Sequence, residues 1–544
     1  MGRQKLLSLA WRQRRDAISR QAGERSTTSL FEGPQPRQGV ASAEMEEVAS
    51  PYAGAMAELR AAVEPVALQW REQTNDPVLS ALGHALPELV PALLAGAMAE
   101  HQALLGGDAK AVSQAAQRAT QPAAIAFIAA AWQLQGHAVV PALAQRPCCH
   151  GCGRRLKLVR SSQFRTLIGR CGSYRLQRPY YTCEHCGGGY SPDDDAWGLG
   201  PGDLDPDLQD VLACDGVHGT FQDARDAVWR HLQVSLDDNT AERTTVGIGL
   251  VALGHRERRA AEPTRQLPPD PGSDTMLLAV DGGRVQAGGE WRETKVAVAG
   301  PLGPDQAVDQ DTGRAHLLTG PLHYTADMTD TDHFFACHVR QVAEDAGLFH
   351  PRVRSVVLLA DGGEWIESRW ATLGLPPSVQ VVDILDFRHF QQHVWAAAKA
   401  CWGEGSARTK TWAHKQIDRV LAKGPEPLLK ELSTIRPRRA QGRQEMRKLH
   451  NYMEHNAHRL RYPEFIAQEL PIGSGAIEAG VRVVNNERLK NSSMHWSLIG
   501  ARAVLALRAT ALSPPRCWEA FCATRPALAR PASRHLTGLR GKAA

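Results

Sequence analysis

Apolar positions recur at helical spacing from residue 53 to 145, as in LPELVPALLAGAMAEH, and predict a small helical domain. The residues before it, 1–50, are polar and rich in Arg, Gln and Ser. They are interrupted by Glu32-Gly-Pro-Gln-Pro, a composition that predicts a disordered segment. Between 147 and 190 the pattern turns strand-like, framed by CCHGCG and EHCGGGY. Helical spacing returns over 203–260, in DLDPDLQDVLACDGVHGTFQDARDAVWRHL and then VSLDDNTAERTTVGIGLVAL, which read as two amphipathic helices about a short turn. The Pro-rich EPTRQLPPDPGSD (262–274) marks a boundary.

From 275 onward, short buried-type strands alternate with helices. Met276–Val280 (MLLAV) reads as a strand ending at Asp281-Gly-Gly, with further strands around Thr294–Val298 and over Ala315–Tyr324. A helix over TDHFFACHVRQVAEDAG follows, and then the strand Val356–Ala360, which also ends in Asp-Gly-Gly, at Asp361. A short helix (EWIESRWATLG), the strand VQVVDIL and a helix through Phe387–Ala400 complete the series. Three strands, helix, strand, helix, strand, helix is the order of an α/β RNase H-like fold, expected over 275–400. Helical residues 401–470 read as an insertion, 471–510 as the last helix of that core, and 511–544 as a basic tail.

At 544 residues the chain is long enough for three or four domains, and its 43% hydrophobic content excludes disorder throughout. No uninterrupted apolar run approaches the ~20 residues that cross a bilayer, so no membrane partner is expected. The first 25 residues lack the apolar segment of a secretory signal, and the expected location is cytoplasmic. The net charge of +5 is uneven. Residues 401–544 carry 25 Lys and Arg against 11 Asp and Glu, whereas 1–400 carry 38 against 47. A basic C-terminal third points to a polyanion, most commonly nucleic acid, or else to a solvated helical face. On the same footing, Thr240, Arg243, Thr244 and Thr245 suit a helix-turn-helix whose Arg243 meets DNA, or an ordinary helical hairpin.

Eleven Cys include close pairs at Cys149/Cys152 and Cys183/Cys186. Two Cys-x-x-Cys-Gly knuckles about thirty residues apart, joined by strand-like sequence, describe a zinc ribbon. Each knuckle supplies two corners of a tetrahedron from one tight turn, and Gly allows the backbone that the turn needs. Cys149, Cys152, Cys183 and Cys186 are the expected Zn²⁺ ligands, with Cys148, His150 and His185 as possible substitutes. The bland alternative is a set of buried thiols. Zinc here would be structural.

Asp281 and Asp361 carry the second candidate chemistry. A carboxylate at the carboxyl end of an apolar strand needs water or a cation, and several converging carboxylates suit Mg²⁺. Asp before Gly is also a common turn, but two such turns in matched positions are less so. A third carboxylate is expected from Glu478 in LPIGSGAIEAGVRVVNNERLKN, where Ile477, Val481 and Val484 form an apolar stripe to lie on a sheet. Glu478, Arg482 and Asn485 share the adjoining polar edge; a first-turn Glu paired with Arg482 would look the same. Three carboxylates can hold two Mg²⁺ (or Mn²⁺) ions about 4 Å apart. Arg482, Arg488 and Lys490 flank that helix as candidate phosphate contacts. Arg388 and His393 read as surface or DNA contacts, and Tyr452, Asn456 and Arg459 suit DNA contact or packing. Trp365, Trp395, Trp412 and Trp496 read as core anchors.

Taken together, LLAVDGG, VVLLADGGEWI, ILDFRHFQQHVW, NYMEHNAHRLRYPEF and LPIGSGAIEAGVRVVNNERLKNSSMHWS resemble a DDE insertion-sequence transposase of the ISKra type, related to the Mutator-like group. The likeness covers roughly 140–520. It implies a catalytic triad of Asp281, Asp361 and Glu478, with Asp386-x-x-His389 as the motif after the fifth strand. His389 would then contact the scissile phosphate or orient a ligand, or simply bond to Asp386 at a helix start. The resemblance further implies cleavage of the inverted repeats at the ends of a mobile DNA element and joining to target DNA. A homodimer or larger assembly would do this in a bacterial cytoplasm, at the nucleoid when bound to DNA. One departure is Ser493-Met-His-Trp496, where the family shows Gly-Met-x-Trp. Two other functions suit the same residues: a nuclease or resolvase without strand transfer, and an inert zinc-ribbon DNA-binding protein derived from a transposase.

Overall fold

The structure, a computed structural model, describes residues 53–72, 77–135, 146–149, 152–261, 267–308, 313–490 and 494–528. The segment expected to be disordered (1–50), His150, Ser493 and the chain after 528 lie outside the described residues. Two units divide at Ala61/Ala62, and the first is described only as the start of helix α1 (Ala53–Glu72). α2 (Pro77–Ala99), α3 (His101–Gly106) and α4 (Ala109–Gln135) continue the expected helical region. α2 and α4 approach closely because Gly96 lacks a side chain; a Cβ there would lie 2.0 Å from the Ala119 carbonyl oxygen. Within α2, Leu82–Ala99 is long and apolar enough to span a bilayer by length and composition, with a mean hydropathy of 1.3 and Pro87 and Pro91 inside it. No uninterrupted run had marked it, because His84 and Glu88 divide the apolar residues.

Next come a long hairpin, β1 (Lys157–Gly169) and β2 (Gly172–Thr182), the short β3 (Gly189–Tyr190) and α5 (Pro192–Ala196). Ile125, Ile128 and Trp132 of α4 pack on Leu167, Tyr174 and Trp197 at the hairpin base. The expected pair of helices over 203–260 is in fact three: α6 (Pro206–His218), α7 (Phe221–Leu232) and α8 (Asp238–Ala261). A capping box formed by Thr220 and Asp223 starts α7 immediately after Gly219 and splits the first predicted helix. Thr244 and Thr245 are buried, and a Cβ on Gly216 of α6 would lie 2.2 Å from Thr245 Oγ1. That face of α8 is therefore packed and cannot enter a groove, while Arg243 stays exposed.

The third layer is a mixed α/β unit. Its strands are β4 (Thr275–Ala287), β5 (Glu290–Val308), β6 (Ala315–Thr319), β7 (His323–Asp327), β8 (Ser355–Ala360) and β9 (Gln380–Leu385). The order is β6-β5-β4-β8-β9, with β7 also on β5; β4, β8 and β9 are parallel, and β5 runs antiparallel to β4, β6 and β7. The single strand expected over Ala315–Tyr324 is divided at Gly320-Pro321. Proline has no N–H to offer the ladder, and its carbonyl instead approaches Gly300.

Residues on one face of β4 (Met276, Leu278, Val280) pack with Phe334, Phe335 and Val342. These belong to α9, the helix built from Thr331–His333, the π-helical Phe334–Val339 and Arg340–Asp345. α10 (Glu364–Glu367) follows β8 on that side. Leu277 and Ala279, on the other face, meet α11 (Phe387–Trp402) and a helical stretch made of α12 (Ala407–Lys423), α13 (Glu426–Thr434), α14 (Ala440–His455) and α15 (Tyr462–Ala467). Ile417, Leu428, Met446 and Met453 of that stretch belong to the same apolar cluster as the sheet, so residues 401–470 share its core. α16 comprises Gly475–Gly480, a π-helical turn Val481–Asn486 and Glu487–Leu489. Ile477, Val481 and Val484 are buried as the stripe predicted. α17 (Leu498–Leu512) lies buried against α8. The expected basic tail begins with structure: α18 (Pro515–Thr524) packs Phe521 against Val217 and Ile248, and Arg525 pairs with Asp210 at 2.5 Å.

Candidate active site and cysteine cluster

The parallel ladders end at one level. Val280 pairs with Ala360, and Ala360 with Leu385, so the next residue on each strand is an aspartate: Asp281, Asp361 and Asp386. Adjacent strands are about 4.8 Å apart, which sets these carboxylates side by side at the carboxyl edge of the sheet. Asp281 does not end its strand as expected. β4 continues through Gly282 and Gly283 because the antiparallel partner β5 keeps pairing with it; only the parallel partner stops. Gly283 serves the helix, not a turn: a Cβ there would lie 2.6 Å from Asn485 Nδ2 and 2.7 Å from Thr294 Oγ1. At Asp361 the chain does turn, with the Gly363 amide donating to the Asp361 carbonyl at 2.7 Å.

Burial pushes the Asp281 carboxyl up to about 6; the Gly282 amide, donating at 2.7 Å, opposes this, and the charge of Asp361 adds to it. A site that raises a carboxyl in this way disfavours its ionised form and would favour a cation beside it.

Asp386 has a different role, which the sequence reading had not separated from the motif. It is 1% exposed and accepts from the amides of Arg388 and His389, both at 3.2 Å. It also accepts from His389 Nδ1 at 2.8 Å and from the Ser474 amide at 2.9 Å. It thus caps α11 and anchors the loop before α16. Of the two roles open for His389, the bond to Asp386 is made. That bond holds the imidazole above its usual range, against burial, and leaves Nε2 for another partner.

Glu478 enters through the same loop. Ser474 Oγ donates to its Oε1 at 2.8 Å, and Arg388 Nη1 to its Oε2 at 2.5 Å. Its cation is therefore Arg388, while Arg482 pairs with Glu487 at 3.1 Å. Asp386, Ser474, Glu478 and Arg388 form a chain of contacts that links the acidic edge to α16. The expected triad does not close to chelating distance. Among the described residues, the one group of three or more metal-capable side chains whose ligand atoms all lie within 4.8 Å of each other is the cysteine cluster.

Tyr452 lies over the second aspartate. A Cβ on Gly362 would meet its ring at 2.5 Å, and His393 stacks on it with centroids 4.0 Å apart. Burial, with the charge of Asp361, raises its phenol. Asn456 and Arg459 prove structural. Arg459 is fully buried, bonded to Asp383 Oδ1 and Asn456 Oδ1 at 2.9 Å each and to the Ala360 carbonyl, which welds α14 to the ends of β8 and β9. The four tryptophans singled out pack against core clusters as expected.

Arg482 and Lys490 are exposed, as phosphate contacts require. Arg488 is not. It is 1% exposed, held between the rings of Phe221 and Trp496 at 4.7 and 4.9 Å, and it donates to the Gly216 carbonyl at 3.0 Å. A guanidinium so enclosed cannot lie along a DNA backbone from the surface.

The cysteine cluster fits the ribbon reading closely. Sγ of Cys149 lies 3.4 Å from that of Cys186, and Cys152 lies 3.4 Å from Cys183. A disulfide would need about 2.05 Å, whereas thiolates about 2.3 Å from a common ion stand nearly 4 Å apart. Gly153 and Gly187, which follow the knuckles, have φ of 69° and 71°, the left-handed turn that glycine adopts most cheaply. Backbone N–H groups of Cys186 and His185 hold the Cys183 thiol down to about 6 against its burial, favouring the thiolate that a metal needs. Four thiols in this arrangement could hold a structural zinc ion. Cys148 and His185 are exposed and outside the cluster.

The chain matches no family model and no curated protein.

Proposed function

We propose that this chain is a metal-dependent polynucleotidyl transferase, a DDE transposase of the kind it resembles, which cleaves the ends of a DNA element and joins them to target DNA. One observation carries the reading: Asp281 and Asp361 stand level at the carboxyl ends of adjacent parallel strands, with Asp281 raised to about 6. The strand order β7-β5-β4-β8-β9, with three antiparallel strands followed by two parallel to the first, supports an RNase H-like core. In open α/β sheets, ligands gather at such carboxyl ends.

The donor set suits Mg²⁺ or Mn²⁺. Asp281 and Asp361 would hold it, with Glu478 joining once Arg388 is drawn away. Bound there, a pair of such ions would supply an activated water or 3′-hydroxyl and would neutralise charge on the leaving oxygen. The remaining roles fall to the chain itself. Asp386 fixes the imidazole of His389, whose Nε2 can donate to a phosphate oxygen. Arg388, half-exposed beside Glu478, can exchange that carboxylate for a DNA phosphate. Arg482, Lys490 and Arg243 are exposed for backbone contact.

The test is a joining assay with labelled element-end DNA and target plasmid in Mg²⁺. Joined product that is absent with Asp361→Asn supports the reading. Cut product without joining identifies a nuclease or resolvase instead, and binding without either product identifies an inert DNA-binding protein.

A further inference from the structure

A cavity of about 410 Å³ opens where the starts of α7 and α17 converge beside α8, away from the acidic edge of the sheet. Phe221, Arg243, Arg488, His495, Trp496 and Ile499 are among its walls. Arg488 is its unusual member. Its Nε is satisfied by the Gly216 carbonyl, and its Nη1 meets only the Met494 sulfur at 3.2 Å, a weak acceptor. Its Nη2 is buried and has no hydrogen-bond partner.

A buried guanidinium donor left unmade is costly, and such groups are retained where something else completes them. The nearby carboxylates do not complete this one. Asp223 is engaged by the Thr220 amide and hydroxyl at 2.8 and 2.7 Å, and Glu242 sits on the exposed side of α8. The surroundings favour an anion in two further ways. Arg243 brings a second guanidinium to the wall. α7 and α17, of 12 and 15 residues, direct their N-termini at the cavity, with first-turn N–H groups beyond those used by Thr220 and Ser497. Two aromatic rings hold the Arg488 plane rigid, so its free edge is pre-aimed.

We infer that this cavity is a phosphate-binding site, in which Arg488 Nη2 donates to a phosphate oxygen with Arg243 and the two helix starts around it. The phosphate belongs either to a nucleic-acid backbone or to a free phosphate ester; the chemistry is the same. The site does not depend on the catalytic reading. If the source is nucleic acid, it adds a grip on the substrate remote from the aspartates.

The experiment uses the full chain. Equilibrium dialysis against inorganic phosphate measures binding, and reaction of His495 with diethylpyrocarbonate, read by mass spectrometry, reports occupancy at the cavity itself. Ile499 is 63% exposed, so Ile499→Glu adds a carboxylate at the rim without disturbing packing. Arg488→Lys keeps the charge and loses the fork. Both variants should bind phosphate at least about tenfold more weakly, and phosphate should protect His495 in the wild type only. A short DNA duplex that expels bound phosphate and itself protects His495 identifies the backbone as the source. A duplex that binds while phosphate stays in place identifies a free ester. The inference fails if no phosphate binds, if both variants bind as the wild type does, or if His495 stays equally reactive throughout.

Discussion

Replacing Asp281 with asparagine should make the metal-free protein more stable, not less. The Asp281 carboxyl is moved from an ordinary value of 3.8 to about 6 in the folded chain, chiefly by burial and also by the neighbouring Asp361. A shift of roughly two pH units at about 1.4 kcal/mol each makes carrying the charge cost about 3 kcal/mol of folding stability. The folded value is the higher one, so the unfolded chain binds fewer protons between the two values. Stability therefore falls as pH rises from about 4 through 6, and the full cost is present at pH 7. Asparagine keeps an oxygen for the Gly282 amide and removes the charge. The assay is urea unfolding in EDTA at pH 4, 5, 6 and 7, repeated in Mg²⁺. Asp281→Asn should match the wild type at pH 4 and exceed it by up to about 3 kcal/mol at pH 7. Mg²⁺ at a hundred times its dissociation constant should return about 2.7 kcal/mol to the wild type and little to the variant. A variant that is less stable than the wild type at pH 7 in EDTA, or equal Mg²⁺ stabilisation of both proteins, would refute the electrostatic argument.

Further outcomes follow from the same geometry. Asp361→Asn and Glu478→Gln should retain DNA binding in a gel-shift assay while losing cleavage by about a thousandfold or more; normal cleavage would remove that residue from the site. Cys183→Ser should lose the roughly one zinc per chain that elemental analysis finds in the wild type, and full zinc content would refute the ligand assignment. Arg459→Met should cost about 3–5 kcal/mol in urea unfolding, because it strands Asp383 and Asn456 at a buried position. Gly480→Val should destabilise by about 1–3 kcal/mol, since even a Cβ would lie 2.7 Å from Val298 Cγ1 and force α16 off the sheet. An unchanged unfolding midpoint would show that the helix can move without penalty.

Much of the acidic edge could be read from the chain because strand ends carry local signals. A run such as MLLAV or VVLLA can only be a buried strand, and a carboxylate directly after it stands where the sheet meets solvent. Asp386 gave the same signal at the end of VQVVDIL, yet its function was hidden. Its acceptors are filled by Ser474, 88 residues later, and no local pattern announces that partner. Arg388 was read as a surface group for the same reason, since its carboxylate, Glu478, is 90 residues away. The burial of Arg488 between Phe221 and Trp496 unites helices from distant parts of the chain, and a basic residue beside a candidate helix looks exposed until that packing is known.

The amino-acid order alone settled the properties that depend on near neighbours. These are the cysteine knuckles with their left-handed glycines, the strand and helix series after residue 275, and the apolar stripe of α16. Each follows from backbone geometry and side-chain periodicity over a few residues. Tertiary packing decided the rest: that β4 continues past Asp281 along its antiparallel partner, that three aspartates stand level, and that one of them is spent on hydrogen bonds while another is raised to about 6. Burial and charge act through space, and only the folded chain sets which groups share it.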